Sequence, residues 1–184
     1  MNTLFAIIYP LSILLMVGFS ILISFKLLRD KSIIFKIGVA YGIGIGCITL
    51  QMMTYSFLNI SWNLSTLIIP WIIFFIYIFF TGKIKAPKSI KLQNNLSKLE
   101  MLLLIGILVT IIFVLLESTI RPLTAYDGWV NWFLRGKAYY MSRNLDPSFI
   151  IYSINSTPPL LSLLVTFVYL SLGQTSEQVA IYFF

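Results

Sequence analysis

Long apolar runs are the feature of this sequence that most restricts its fold. They follow one another through the whole chain, at 4–28, 33–58, 64–81, 101–116 and 160–172, with a further run beginning at 179–184. A helix rises about 1.5 Å per residue, so a run of about 20 residues matches the roughly 30 Å hydrocarbon core of a bilayer. A membrane β-barrel would instead show alternating segments of about ten residues. We therefore predict an all-α, polytopic transmembrane helical bundle of about five spans plus the start of a sixth.

The composition favours a membrane protein over a soluble domain. Hydrophobic residues make up 59% of the chain and charged residues 10%, whereas soluble domains average about 45–50% and about 25%. A chain of 184 residues that folded in water would leave much of this apolar surface exposed. We predict a single transmembrane domain over 1–184. Because the sequence stops inside an apolar run, we expect it to be the N-terminal part of a larger protein.

Cysteine and histidine usage excludes several kinds of chemistry. The single cysteine, Cys47, rules out a disulfide bond within the chain. Histidine is absent, and with it the commonest general base and metal ligand. Acid–base chemistry must therefore use carboxylates, lysine or tyrosine.

The basic residues are distributed unevenly between the polar links. Of the 13 Lys and Arg residues, four lie in 26–36 and five in 83–98, whereas the link 59–63 has none. Cytoplasmic loops collect Lys and Arg, so the first and third links are predicted to be cytoplasmic. The N-terminus, the second link and the long segment 117–159 are then extracytoplasmic. The net charge of +7 thus reflects membrane topology, and binding to nucleic acid is not predicted.

A glycine repeat marks the second apolar run. Gly38, Gly42 and Gly46 recur every four residues, with Gly44 between them. A phosphate-binding loop would need a strand before the glycines and a helix after them, and here they lie inside an apolar helix. We therefore predict that this repeat lets a neighbouring helix approach closely.

The segment 117–159 contains a predicted helix at 128–143 with two different faces. At helical spacing, one face carries Trp129, Trp132, Phe133, Gly136 and Tyr140. The other face carries Asp127, Asn131, Arg135 and Ser142. Tryptophan and tyrosine favour the headgroup level of a bilayer. The segment is therefore predicted to form an amphipathic helix on the outer membrane surface.

Ordinary structural roles compete with a catalytic role for the charged residues of this segment. Asp127 precedes an apolar-periodic run and suits a helix N-cap. Arg135 and Lys137 suit contacts with lipid phosphates. Glu117, at the outer end of a span, suits a solvated end residue. Judged from residue chemistry alone, the structural roles are the more common ones.

Three motifs in and after this segment carry a family resemblance. They are Tyr126-Asp-Gly-Trp-Val-Asn-Trp132, Arg135-Gly-Lys-Ala138 and Thr157-Pro-Pro-Leu160. Together they resemble bacterial GT-C membrane glycosyltransferases, the polyprenyl-phosphate-sugar-dependent enzymes related to protein mannosyltransferases and the aminoarabinose transferase. In that family an acidic residue lies in the first large outer loop, whose helices lie on the membrane, and a proline-marked span follows. The resemblance covers 117–172.

The resemblance implies a role for each matching residue. Asp127 matches the loop acid and would be the general base or the carboxylate that orients the acceptor. The second acid often paired with it is absent, since residue 128 is glycine, and Glu117 is the candidate substitute. The remaining residues would bind substrate: Arg135 and Lys137 at the donor phosphate, and Trp129, Trp132 and Asn131 around the acceptor or lipid. Three spans precede the loop here, where many members of the family have one.

The resemblance also implies partners and a location. The partners would be a lipid-linked sugar donor and membrane lipids. The protein itself would be a multi-pass protein of a bacterial cell membrane. Some relatives use a divalent cation, but one acid is a poor site for a hard cation that prefers several oxygen ligands, so no metal ligands are predicted. The alternative is a non-enzymatic polytopic protein, either a transporter or a membrane assembly subunit. Transporters usually place ionisable residues near the midplane, and these spans have none there. The sequence does not indicate an oligomeric state.

Overall fold

The computed structural model describes residues 3–28, 32–81, 105–106, 109, 112–113, 116, 132–145 and 159–183. This part of the chain is helical and contains no strand. Its helices are α1 (Thr3–Ser24), α2 (Ile33–Phe57), α3 (Leu64–Phe80), α4 (Leu134–Ser142), α5 (Leu160–Leu172) and α6 (Glu177–Ala180), followed by a 3-10 turn, Ile181–Phe183. The predicted runs 33–58, 64–81 and 160–172 agree with α2, α3 and α5 to within a residue.

Two of the described helices are long and apolar enough to cross a membrane. They are Phe5–Ser24, with a mean hydropathy of 2.4, and Ile33–Phe57, with a mean hydropathy of 1.9. Helix α3 has 17 residues, about 26 Å of helix. The predicted fourth span, 101–116, lies mostly outside the described residues.

Helices α1 and α2 pack antiparallel through two glycines. A Cβ atom added to Gly18 would lie 1.8 Å from the Ala40 carbonyl oxygen, and one added to Gly44 would lie 2.1 Å from that of Leu14. The pairs 18–40 and 14–44 run in opposite senses along the two helices, so the backbones touch over more than one turn. The predicted repeat Gly38, Gly42 and Gly46 is not at this contact, since no described atom lies within 4 Å of a Cβ built at any of the three.

Pro70 interrupts the backbone hydrogen bonding of α3, and polar side chains of α2 compensate for this. Proline has no N–H, so the carbonyl oxygen of Thr66 loses its helical donor. The Tyr55 hydroxyl of α2 donates to that oxygen at 3.3 Å. Gln51 completes the cluster: its amide donates to the Leu67 carbonyl oxygen at 3.3 Å and to the Tyr55 hydroxyl at 3.0 Å, and its side-chain oxygen accepts from Trp71 Nε1 at 2.7 Å. The Tyr55 side chain of α2 thus supplies the hydrogen-bond donor that the Thr66 carbonyl oxygen of α3 lacks.

Helix α5, which the sequence predicted as the fifth transmembrane span, is the buried centre of the described part. All of 162–170 is buried, and 13 residues reach only about 20 Å. Gly136 of α4 lies against Ser162 and Val165, and Tyr140 one turn later lies against Tyr169. Helices α4 and α5 therefore run in the same direction.

Helices α4 and α5 both run toward the second link, 59–63. The Trp62 backbone N–H donates to the Arg143 carbonyl oxygen at 2.8 Å, and the Leu145 N–H donates to Ser56 Oγ at 3.2 Å. The end of α4 thus lies where α2 ends and α3 begins. The predicted alternation of spans would make 160–172 run away from the second link, whereas the contacts of α5 with α4 direct its C-terminal end toward that link.

Candidate functional site

The structure describes three of the seven predicted site residues. Trp132, Arg135 and Lys137 lie in or next to α4. The other four predicted residues lie outside the described part of the chain: Glu117, Asp127, Trp129 and Asn131. The site is therefore built here from α4 and from what packs against it.

The described residues of the predicted aromatic face of α4 are buried or pack against the core, and burial extends to one residue assigned to the polar face. Phe133, Arg135, Gly136 and Tyr139 are buried. Arg135 was assigned to the polar face, yet its side chain is 3% exposed. The Arg135 guanidinium group therefore lies inside the described bundle. Trp132 is half-buried and packs against the core.

Gly136 sets the position of α4 against α5. A Cβ atom at Gly136 would lie 2.5 Å from Val165 Cγ1 and 3.3 Å from the Ser162 carbonyl oxygen. The Thr166 hydroxyl donates to the Gly136 carbonyl oxygen at 3.1 Å. This contact holds the two neighbours of Gly136, the cations at 135 and 137, at defined positions on the bundle.

Lys137 forms an ion pair with Glu177, at the start of α6. The two side chains are 32% and 28% exposed, so solvent and small ligands reach the pair. The sequence analysis did not single out Glu177. A signal was present, because Glu177 is the only charged residue in 147–184.

Cation–π and aromatic contacts join the end of α4 to α5. The Arg143 guanidinium lies 4.4 Å from the centroid of the Tyr140 ring, a cation–π contact. The Tyr140 ring meets the Tyr169 ring edge-on, with centroids 6.0 Å apart. Tyr169 is fully buried on α5, and sequence reasoning missed it because its position within an apolar run gave no sign of a polar role.

Trp62 joins the C-terminal end of α4 to the α2–α3 link. It is 1% exposed, and its indole N–H donates to the Met52 carbonyl oxygen at 2.9 Å. Its ring lies edge-on to Tyr139, at 6.3 Å between centroids. The link 59–63 and the segment that carries α4 were predicted on the same side of the membrane, and here they are in direct contact.

The charged side chains of the described residues are mainly basic. The described residues contain no group of three His, Cys, Asp or Glu residues that would hold a metal. They do contain three basic residues in or directly after α4, at 135, 137 and 143. Comparisons with protein-family models, with curated proteins and with solved structures give no match.

Proposed function

We propose that the chain is a multi-pass membrane glycosyltransferase of the GT-C type. It moves a sugar from a lipid-phosphate donor to an acceptor at the outer face of a cell membrane. The proposal is supported by the motifs at 126–160 and by the anchored cations of α4.

The membrane location is supported by apolar side chains that the described fold leaves uncovered. One side of α3 carries a set of them, all more than 40% exposed: Ile69, Ile72, Ile73, Ile76, Phe79 and Phe80. Soluble monomers rarely expose apolar patches of this size, and a hydrocarbon phase accepts them. In the proposed arrangement α1, α2, α3 and 101–116 cross the bilayer, and α5 enters the bundle from the outer side.

The single observation that carries the proposal is the fixed position of Arg135 and Lys137. The close approach of Gly136 to α5 holds both cations in place, eight and ten residues after Asp127 in the chain. Transfer from a lipid phosphate needs this, because negative charge grows on the phosphate as the glycosidic bond breaks. A cation that is already in position stabilises that charge without reorganising.

The proposed reaction assigns one step to each group. The Asp127 carboxylate accepts the proton of the acceptor hydroxyl, whose oxygen bonds to the anomeric carbon. The bond from that carbon to the phosphate oxygen breaks, and its electron pair leaves with the lipid phosphate. Lys137 binds the departing phosphate, and the positive charge of the buried Arg135 stabilises it. Trp129, Trp132 and Asn131 bound the acceptor and lipid, and Glu117 supports the acid at 127.

The deciding experiment replaces Asp127 by Asn. Asn caps a helix about as well as Asp, so Asp127→Asn keeps the structural role and removes the base. We expect sugar transfer from a polyprenyl-phosphate donor in membranes to fall by about 10²–10⁴-fold, with unchanged expression. Asp146→Asn, which removes an acid from the same segment, is the matched control and should transfer at the wild-type rate.

Two outcomes would count against the proposal. If Asp127→Asn transferred sugar at the wild-type rate, Asp127 would not be the general base. Absence of transfer by the wild-type protein with every polyprenyl-phosphate donor would favour a membrane assembly subunit, in which the Lys137–Glu177 pair only joins two segments.

A further inference from the structure

Arg143 is a cation that the proposed reaction leaves without a role. It directly follows α4, and its φ of 56° is the left-handed conformation for which glycine is favoured at a helix end. Two hydrogen bonds fix its backbone: its N–H donates to the Tyr139 carbonyl oxygen at 2.9 Å, and its carbonyl oxygen accepts from the Trp62 N–H at 2.8 Å. A glycine would make both hydrogen bonds without strain. The backbone alone therefore does not explain an arginine at this position.

The Arg143 guanidinium is held by an aromatic ring that is itself supported by the core. Its Cζ atom lies 4.4 Å from the centroid of the Tyr140 ring. The Tyr140 ring in turn meets the fully buried Tyr169 ring edge-on, at 6.0 Å between centroids. A cation–π contact confines a side chain that would otherwise sample many rotamers. The charge at 143 thus has a defined position at the end of α4.

The same contact leaves the N–H donors of the guanidinium available to a ligand. A ring face attracts the positive charge but supplies no oxygen acceptors for the five N–H groups. The one carboxylate residue in the part of the chain that the structure describes, Glu177, is paired with Lys137. Arg143 is half-buried, so a ligand outside the bundle can reach it. A guanidinium held in this way suits the paired oxygens of a phosphate group.

The surroundings of Arg143 favour a phosphate that belongs to a lipid. Through its contact with Trp62, Arg143 lies where α2 ends and α3 begins. This end of the bundle carries large apolar side chains that are more than 60% exposed, namely Phe57, Leu58 and Met141. In the proposed membrane arrangement the end of α2 lies at the level of the lipid headgroups. Apolar side chains among acyl chains, with a cation at the phosphates, are typical of that level.

We propose that Arg143, held over the Tyr140 ring, binds the phosphate of a membrane phospholipid. The acyl chains would lie on the exposed apolar side chains at this end of the bundle. Arg143 contacts the ligand, and Tyr140 is a positioning residue for Arg143. A phosphate bound there would hold the end of α4, and with it Lys137, at the headgroup level. The inference rests on the proposed membrane location and does not depend on sugar transfer.

The test counts bound lipid by native mass spectrometry of the protein in an uncharged, phosphate-free detergent. The probe is a short-chain phosphatidylglycerol, and the comparison arms are diacylglycerol with the same chains and inorganic phosphate. We expect diacylglycerol to bind at least about tenfold more weakly, because it lacks the phosphate. Arg143→Gln should weaken phosphatidylglycerol binding by about tenfold. Arg143→Lys should weaken it by about threefold, since lysine keeps the charge without the planar fork.

Variants of Tyr140 test whether the ring positions the cation. Tyr140→Phe keeps a ring face under the guanidinium and should bind phosphatidylglycerol as the wild type does. Tyr140→Leu removes the ring and should weaken binding by about threefold. Lys26→Gln is the matched control, because Lys26 is an exposed cation after α1 with a φ of 55° and has no cation–π contact in the described part of the chain. It should bind as the wild type does.

Arg143→Gly separates binding from folding. Glycine relieves the left-handed backbone, so Arg143→Gly should melt at a higher temperature than Arg143→Gln. The two variants should nevertheless bind phosphatidylglycerol equally weakly. Binding that followed the melting temperature, or that was unchanged in both variants, would mean that Arg143 is only structural and would overturn the inference.

Three further outcomes would also count against the phospholipid site. A loss of binding in Lys26→Gln as large as in Arg143→Gln would mean that any exposed cation suffices. Diacylglycerol binding as tight as that of phosphatidylglycerol would mean that the phosphate is not recognised. Inorganic phosphate binding more tightly than the lipid would exclude a lipid as the ligand. Phospholipid binding at Arg143 without transferase activity would leave this inference standing while the proposed function fails.

Discussion

A methyl group on Gly136 would lie 2.5 Å from Cγ1 of Val165 and 2.9 Å from its Cβ. Val165 is β-branched and lies in a helix, where its side chain has essentially one rotamer. It is fully buried, so it has no space to move away. Helices α4 and α5 can therefore approach this closely only because Gly136 has no side chain.

We expect Gly136→Ala to destabilise the protein by about 1–3 kcal/mol, as overpacking of a core does. The better helix propensity of alanine, about 1 kcal/mol, offsets only part of this. Thermal unfolding in detergent, followed by circular dichroism, measures the change. Gly136→Ala combined with Val165→Ala should recover part of the loss, and a melting temperature unchanged by the single substitution would contradict the contact.

The glycines of α2 should differ sharply although they are close neighbours in the sequence. Gly44→Ala places a methyl group 2.1 Å from the Leu14 carbonyl oxygen, and backbone moves less readily than a side chain. We expect a loss of about 3 kcal/mol or more. Gly42→Ala and Gly46→Ala meet no described atom within 4 Å, so these controls should lie between no change and a gain of about 1 kcal/mol. Equal melting temperatures for Gly44→Ala and Gly42→Ala would contradict the packing of α1 on α2.

The link between Tyr55 and Pro70 predicts a coupling that a double-mutant cycle measures. Tyr55→Phe removes the donor to the Thr66 carbonyl oxygen and should cost about 1 kcal/mol. In a Pro70→Ala background the backbone N–H at position 70 supplies that donor, so Tyr55→Phe should cost less. Unfolding of the four proteins by a denaturing detergent provides the cycle. Identical costs in the two backgrounds would mean that the tyrosine does not compensate for the proline.

The orientation in the membrane is tested by single cysteines in a Cys47→Ser background. From the distribution of basic residues, a cysteine at Ser148 should react with an impermeant thiol reagent in intact cells. A cysteine at Ser89 should react only after permeabilisation. The reverse pattern would overturn the predicted orientation.

A third position tests the direction of α5. Gln174 is exposed just beyond the end of α5, and the contacts of α4 and α5 place this end toward the Trp62 link. We expect a cysteine at Gln174 to be labelled from outside, as one at Ser61 in the link should be. Labelling of Gln174→Cys only in permeabilised cells would restore the outside-to-inside span that the sequence suggested.

The boundaries of the described helices were predictable because local signals mark them. Asn63 forms a capping box with Thr66 at the start of α3, and Gly173 ends α5 with a φ of 69°. Clusters of basic residues, at 26–36 and 83–98, mark the ends of the first and third apolar runs. These signals lie within a few residues of the boundary that they define, so they can be read without the fold.

The candidate site was less predictable because its contacts are distant in the chain. Lys137 and Glu177 are 40 positions apart, and no local pattern pairs them. Arg135 was assigned to a polar face because periodicity weighs side-chain type, whereas the close approach at Gly136 decides which side of α4 is buried. The burial of α5 could not be predicted from its sequence, because a helix surrounded by protein is as apolar as one surrounded by lipid.

The compensation of Pro70 by Tyr55 and Gln51 has a consequence for how the protein enters a bilayer. Alone in hydrocarbon, α3 would carry the Thr66 carbonyl oxygen without a donor, and each such backbone group costs several kcal/mol there. The side chains that satisfy it belong to α2, which is synthesised earlier and ends only a few residues before α3 begins. In the proposed membrane arrangement, insertion of these two helices as one hairpin is therefore favoured over stepwise insertion, because the later helix needs a hydrogen-bond donor from the earlier one.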